Sequence, residues 1–150
     1  MMKYLFYTLL LTISMVSCHN NNKQNTSINN NIVMTSNDTI QVMDLVTTFM
    51  NALQDKRYAD AVQMVHKVNS ESPYNQPEEL NNEEIMKTMA NFKLLPILKY
   101  SVVGYKFKIA YDNEVKCLIV PESNPSLNLN FSIKAVRHFG KWYLCLKGKY

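Results

Sequence analysis

Only three of the 150 residues are glycine, and that scarcity removes whole classes of function. Loops that cradle phosphate need glycines that let backbone amides close on the anion, and neither the Walker nor the dinucleotide-binding pattern occurs. Histidine and cysteine are equally scarce, three of each. None falls into a metal-ligand spacing, so neither a metal nor a cofactor is expected. No apolar run reaches the roughly 20 residues that a membrane-spanning helix needs. The longest mostly apolar stretch, Tyr4 to Val16, holds 13. No repeat of useful period is present, which excludes solenoid and propeller architectures.

The amino end carries more information. Lys3 is the only charge before Lys23, and the apolar stretch that follows it ends at Ser17-Cys18. A positive start, a short apolar core and small residues at the exit have the layout of a secretory signal peptide. Met15-Val16-Ser17-Cys18 resembles a bacterial lipobox, with methionine where leucine is usual. The resemblance implies that Cys18 receives diacylglycerol and becomes the first residue of a membrane-anchored protein. Several acyl chains on one residue make that attachment stable. The plain alternative is ordinary signal cleavage nearby, leaving Cys18 a free thiol. Residues 18–37 are rich in asparagine and lack any period, so they read as a flexible tether, with His19 simply solvated. By the same likeness to lipoproteins, His19 replaces the aspartate that signals inner-membrane retention, and no acid precedes Asp38. The implied address is the cell envelope, at the periplasmic leaflet of the outer membrane.

Residues 38–150 then form one domain, long enough for one core and too short for two. Its charge is unevenly placed. Residues 38–92 hold four basic and nine acidic side chains; residues 93–150 hold ten and three. In the acidic half, Asp38 with Gln41 has the form of a helix cap, followed by Val42, Leu45, Val46, Phe49 and Leu53 at helical spacing. The stripe resumes with Tyr58, Ala61, Val62, Val65 and Val68, predicting two helices or one bent near Asp55. Beyond Pro73 and Pro77, Asn81 with Glu84 caps a third helix carrying Ile85, Met86, Met89 and Phe92.

After Pro96 the period falls from 3.6 to 2, predicting four strands with one face in the core and one mostly wet. The inward set is Val103, Tyr105, Phe107, Ile109 and Tyr111, then Cys117 and Ile119, then Leu129, Phe131 and Ile133, then Trp142, Leu144 and Leu146. A two-residue loop at Phe139-Gly140 pairs Arg137 with Trp142, Ala135 with Leu144 and Ile133 with Leu146, all on one face. A three-residue loop, Asp112-Asn113-Glu114, sets Ile109 opposite Cys117. Helices first and strands after make an α+β domain, with N-terminal helices on one face of a curled four-stranded antiparallel meander.

The stretch "FMNALQDKRYADAVQMV", followed by a short helix and strands ending "IKAVRHFGKWYLCLKG", resembles the nuclear-transport-factor-2-like (cystatin-like) superfamily. The resemblance implies a pocket between sheet and long helix, where enzymes of the ketosteroid isomerase kind keep an aspartate and a tyrosine. Here the inward set holds no acid and no histidine, so general acid–base catalysis has no group on the strands. Asp60 and His66, read on the helices, are the only other candidates near such a pocket. Tyr58, Tyr105, Phe107, Phe131, Arg137 and Trp142 are the candidate ligand-lining residues. Arg137 has two readings: a cationic grip on an anionic ligand, or a guanidinium stacked on the indole of Trp142. Cys117 points in and Cys145 out, two strands apart, so both are expected to be unpaired. Lys106, Lys108, Lys116, Lys134, Lys141 and Lys147 form an outward stripe. It either keeps the domain soluble or meets anionic lipid or an acidic partner.

The function expected is a non-catalytic, lipid-anchored binding domain. Its partners are the membrane, through Cys18, and either a small apolar ligand or an envelope protein; a homodimer through the sheet is also open. Nucleic acid is not expected outside the cytoplasm. The alternatives are an accessory lipoprotein that docks a partner on its basic face, and a cone-pocket enzyme of the isomerase or dehydratase type.

Overall fold

The computed structural model describes residues 34–68, 75–107 and 112–146. The signal segment, Cys18 and residues 19–33 lie outside it, as do Lys108, Ile109, Tyr111 and Lys147. The long helix α1 spans Ser36–Gln54, so the tether boundary expected at residue 37 falls inside it. Its cap is Thr35, three residues before the expected Asp38. The Thr35 side chain accepts from the Asp38 amide, and the Asp38 carboxylate accepts from the Thr35 amide. This reciprocal pair satisfies two orphan donors of the first turn and leaves Asp38 pointing inward. Val42, Val46, Phe49, Met50 and Leu53 are buried along one stripe, each contributing about 1.5–3 kcal/mol of apolar transfer.

The chain turns at Asp55 and Lys56, the latter in the left-handed region at φ 61°, and enters α2, Tyr58–Gln63. The helical spacing continues to Val68, but α2 stops at Gln63 and Val65–Lys67 forms strand β1. A second strand, the two-residue β2 at Glu78–Glu79, pairs antiparallel with β1. Helix α3, Asn82–Leu94, starts on the expected cap: Asn81 accepts from the Glu84 amide, and the Glu84 carboxylate accepts from Asn81.

The meander follows as β3 (Ile97–Lys106), β4 (Asn113–Pro121), β5 (Leu129–His138) and β6 (Lys141–Leu146). The sheet has six strands in the order β2-β1-β6-β5-β4-β3. It is mixed, because β1 runs parallel to β6, with Val65 opposite Leu144 and His66 opposite Cys145. The purely antiparallel four-stranded expectation therefore covers only β3 to β6.

The last hairpin has the expected register: Arg137 faces Trp142, Ala135 faces Leu144 and Ile133 faces Leu146. The first does not. Cys117 lies opposite Val102, not Ile109, and β4 already includes Asn113 and Glu114. Pairing ends with Lys106 opposite Glu114, so Tyr105 and not Tyr111 faces Val115, six residues from the expected register; an irregularity between Val102 and Gly104 then inserts one unpaired residue and reverses parity across it. Val103 is thereby turned outward and is 56% exposed.

Burial is not confined to one face. The main core lies between α1 and the sheet. A second cluster of Val136, Tyr143 and Cys145, with Val68 against it, lies on the face expected to be wet. The addition of β1 beside β6 builds this second layer.

The turn joining β5 to β6 holds Phe139 at φ 45° and Gly140 at φ 80°, with the Phe139 side chain 97% exposed. A bulky residue in the left-handed region is strained, and the two-residue turn prefers asparagine before glycine. Phe139→Asn is expected to raise stability by about 0.5–1 kcal/mol, measured by chemical unfolding. A loss of stability instead would mean that the ring's edge contact with His138, 4.4 Å between centroids, outweighs the backbone strain.

Candidate functional site

Helix α1 crosses the sheet, and the two ends of that crossing differ in chemistry. At its amino end the Asp38 carboxylate accepts the Trp142 indole N–H at 3.3 Å and the Thr35 hydroxyl at 2.7 Å. It also pairs with the Arg137 guanidinium at 3.3 Å. Arg137 in turn lies 5.9 Å from the centroid of the Trp142 ring. Trp142 and Asp38 are buried and Arg137 is half-buried. The stacked arrangement anticipated for Arg137 is present, and its charge is matched by Asp38. An acid therefore does sit against the inward face, supplied by the helix and not by a strand. Hydrogen bonds from the Thr35 backbone and side chain hold its carboxyl below the ordinary value, with Trp142 and Arg137 adding to the effect against the opposing effect of burial.

At the carboxyl end of α1 lies a cavity of about 480 Å³. Leu53 from α1, Asn91, Phe92 and Leu95 from the end of α3, and Ile97 from β3 form one side. Ile119 from β4, Asn130 to Ser132 from β5, and Leu146 from β6 form the other. Phe49 stands behind it, in edge contact with Phe92 at 5.8 Å and stacked on Phe131 at 6.1 Å. These ring contacts tie α1, α3 and β5 into one wall. Among the described residues, the lining has no ionisable side chain.

The six candidate residues are thus distributed among several places. Phe131 lines the cavity. Arg137 and Trp142 belong to the Asp38 cluster at the other end of α1. Tyr105 and Phe107 stack on each other at 4.9 Å on β3, an edge strand, and Tyr105 is 57% exposed. Tyr58 packs half-buried against the main core. The rest of the wall carries no motif; its one local signal is the apolar stretch "FKLLPIL" at residues 92–98, where Pro96 separates the end of a helix from the start of a strand.

The candidate proton-transfer groups lie elsewhere. Asp60 is exposed and paired with Arg57 at 2.9 Å. His66 sits on β1, not on a helix, in edge contact with Tyr143 at 5.0 Å, and burial lowers its pKa. Cys117 and Cys145 are both unpaired and both buried; Cys145 was expected to face solvent. Burial pushes their thiols up to about 11 and about 12, far from a nucleophile's range. Among the described residues, no three histidine, cysteine or acidic side chains converge on a metal position. No described helix is long and apolar enough to cross a membrane.

No protein-family model matches the sequence, and no curated protein does. Among solved structures, the chain is similar to one from Campylobacter jejuni named "Putative NTF2-like transpeptidase", at 12% identity and a TM-score of 0.47. The match covers 71% of this chain and 98% of that one.

Two expectations follow. The Asp38 contribution is present above the ordinary carboxylate value of 3.8 and is lost as pH falls through its lowered value. Asp38→Asn is expected to cost about 2–3 kcal/mol at neutral pH, since the amide cannot accept from all four donors. It should also flatten the acid limb of stability, measured by unfolding between pH 2 and 7. Second, Cys117 and Cys145 should resist maleimide at pH 8 in the folded chain and react in urea, scored by peptide mass. Labelling of either in the native state would mean that its strand opens.

Proposed function

We propose that the protein is a lipid-anchored component of the cell envelope. Its domain, of the nuclear-transport-factor-2-like (cystatin-like) kind, holds a small apolar or amphipathic ligand without transforming it. The anchor reading rests on Met15-Val16-Ser17-Cys18 behind a short apolar leader. The periplasmic leaflet of the outer membrane is the proposed address, since no acid stands between Cys18 and Asp38. The family reading rests on the order of elements, a long helix and two shorter ones ahead of an antiparallel meander, with the main core between the long helix and the sheet.

The observation that carries the binding reading is the cavity. A space of about 480 Å³ lies in the range of small-molecule sites, which are mostly apolar with a few polar groups that fix orientation. Leucine, isoleucine and phenylalanine dominate this lining, and the polar side chains are amides and a hydroxyl. Such a wall favours burial of a hydrocarbon surface at roughly 25 cal/mol per Å². Its described residues include no group that takes or gives a proton near neutral pH. Support for a non-catalytic role also comes from where the titratable candidates stand. Asp60 is at the surface, His66 belongs to the opposite face, and the Asp38–Arg137 pair is occupied in holding helix to sheet.

The test is native mass spectrometry of the full chain extracted from membranes. The expected mass is that of a chain beginning at a diacylglyceryl Cys18 and carrying a non-covalent apolar adduct. Leu95→Asp, which sets a charge on a partly exposed wall residue, should remove the adduct without removing the acyl groups. An unacylated Cys18 would retire the anchor. An adduct-free chain, or one whose adduct survives Leu95→Asp, would retire the cavity as the binding site.

A further inference from the structure

Nine large apolar side chains are exposed among the described residues, and four of them are leucines in or beside the segments that lead into the cavity wall. Leu94 is 80% exposed, Leu95 37%, Leu98 45% and Leu127 41%. Single exposed leucines are unremarkable, but a cluster around the mouth of an apolar cavity is a surface with a use. Leu94 and Leu95 end α3, and Leu95 is itself part of the cavity wall. Leu98 follows the wall residue Ile97, and its carbonyl accepts from Gln54, the last residue of α1, at 3.0 Å. Leu127 belongs to the connection between β4 and β5. That connection is tied to the α3–β3 turn where the Glu122 amide donates to the Pro96 carbonyl at 2.9 Å. Leu95 thus belongs to the cavity wall, Leu94 and Leu98 stand next in sequence to wall residues, and Leu127 lies on the connection tied to the same turn.

The charges beside them are basic. Lys93 and Lys99 flank the leucines on either side of the turn, and both are exposed. Glu122, the acid of the neighbouring connection, is bound by Lys56 at 2.9 Å. Apolar side chains interleaved with lysines are the composition of a surface that enters the headgroup region of an anionic bilayer. The leucines reach the acyl boundary and the lysine stems let their ammonium groups stay with phosphate.

We propose that this rim rests on the lipid bilayer and that the cavity takes an acyl chain of an anionic phospholipid from it. The proposal rests on the reading of the cavity as a ligand site and names the ligand class. What selects a lipid over a protein partner is continuity. An exposed apolar rim and an uncharged apolar interior form one path, which a single hydrocarbon chain fills from end to end. The phosphate of the same molecule then lies at the level of Lys93 and Lys99. A protein docked on the rim would leave the interior empty of contacts.

The probe is a phosphatidylglycerol bearing a diazirine near the end of one acyl chain, incorporated into phosphatidylcholine vesicles that carry the full-length acylated protein. After illumination, labelled peptides are mapped by mass spectrometry. Label is expected on peptides containing Phe92 and Phe131 as well as on the amino-terminal residues. Leu94→Asp with Leu98→Asp should abolish the Phe92 and Phe131 label while the unfolding temperature stays unchanged, since both side chains are at the surface. Lys93→Gln and Lys99→Gln should each lower it roughly five-fold, the binding ratio that corresponds to ~1 kcal/mol per charge at an anionic surface. In vesicles without phosphatidylglycerol, probed with a diazirine phosphatidylcholine, the lysine variants should have no effect. Label confined to residues 18–33, or unchanged in the double leucine variant, overturns the proposal. If the cavity also carries its Leu95-dependent adduct in native mass spectrometry, only the lipid inference falls. If that adduct is absent too, the binding reading falls with it.

Discussion

One carboxylate holds the architecture together. Asp38 sits in the first turn of α1, yet it is buried against β5 and β6, where it meets an indole N–H and a guanidinium. A buried acid is costly unless its lone pairs are taken, and here Thr35, Trp142 and Arg137 supply the donors between them. The same contacts cap the helix and fix its angle to the sheet. Removing any partner leaves another polar group stranded, so the cluster behaves as a unit.

With one end pinned by polar contacts, the other is free to be apolar. Along α1 the side chains change from Asp38 through Val42 and Val46 to Phe49 and Leu53, and the sheet beneath changes with them. The crossing is fastened at Trp142 and leaves the apolar cavity at Ile119 and Phe131. The aromatic contacts of Phe49 with Phe92 and Phe131 keep the open end from collapsing, because stiff rings fill space in one direction and leave it in another. The cavity is thus a consequence of where the helix is fastened.

This division explains which features the sequence revealed. The β5–β6 hairpin was readable in full because turn chemistry and alternation specify the same register, and Arg137 does face Trp142. The Asn81–Glu84 cap was readable for the same reason: it is local. Three features were not. Asp38 looks like a cap because aspartate is common there, and only burial against Trp142 shows it in the third helical position. Val65 and Val68 continue a helical stripe by spacing, but Val65–Lys67 is captured by the edge of β6, a pairing that no local pattern encodes. The β3–β4 register was hidden because pairing ends at Lys106 opposite Glu114, well short of a tight turn at Asp112, and the extra residue at Val103 breaks the alternation further on. The cavity suffered most. Its walls are the ends of six elements, and element ends carry the weakest periodic signal.

The capture of β1 has a chemical consequence as well as a topological one. By adding a strand beside β6 it brings His66 opposite Cys145, a pairing that in a wetter setting would suggest a nucleophile and its base. The setting decides otherwise. Tyr143, Val136 and Val68 exclude water from the sulfur, and the same burial that raises the Cys145 thiol to about 12 favours the neutral form of His66. A thiol that far above neutrality has almost no thiolate, and a histidine kept neutral by burial gains little by accepting its proton. The pair therefore serves packing. The dielectric of the second core thus disfavours proton transfer between this pair, while on the other face of the sheet the described residues line an apolar cavity.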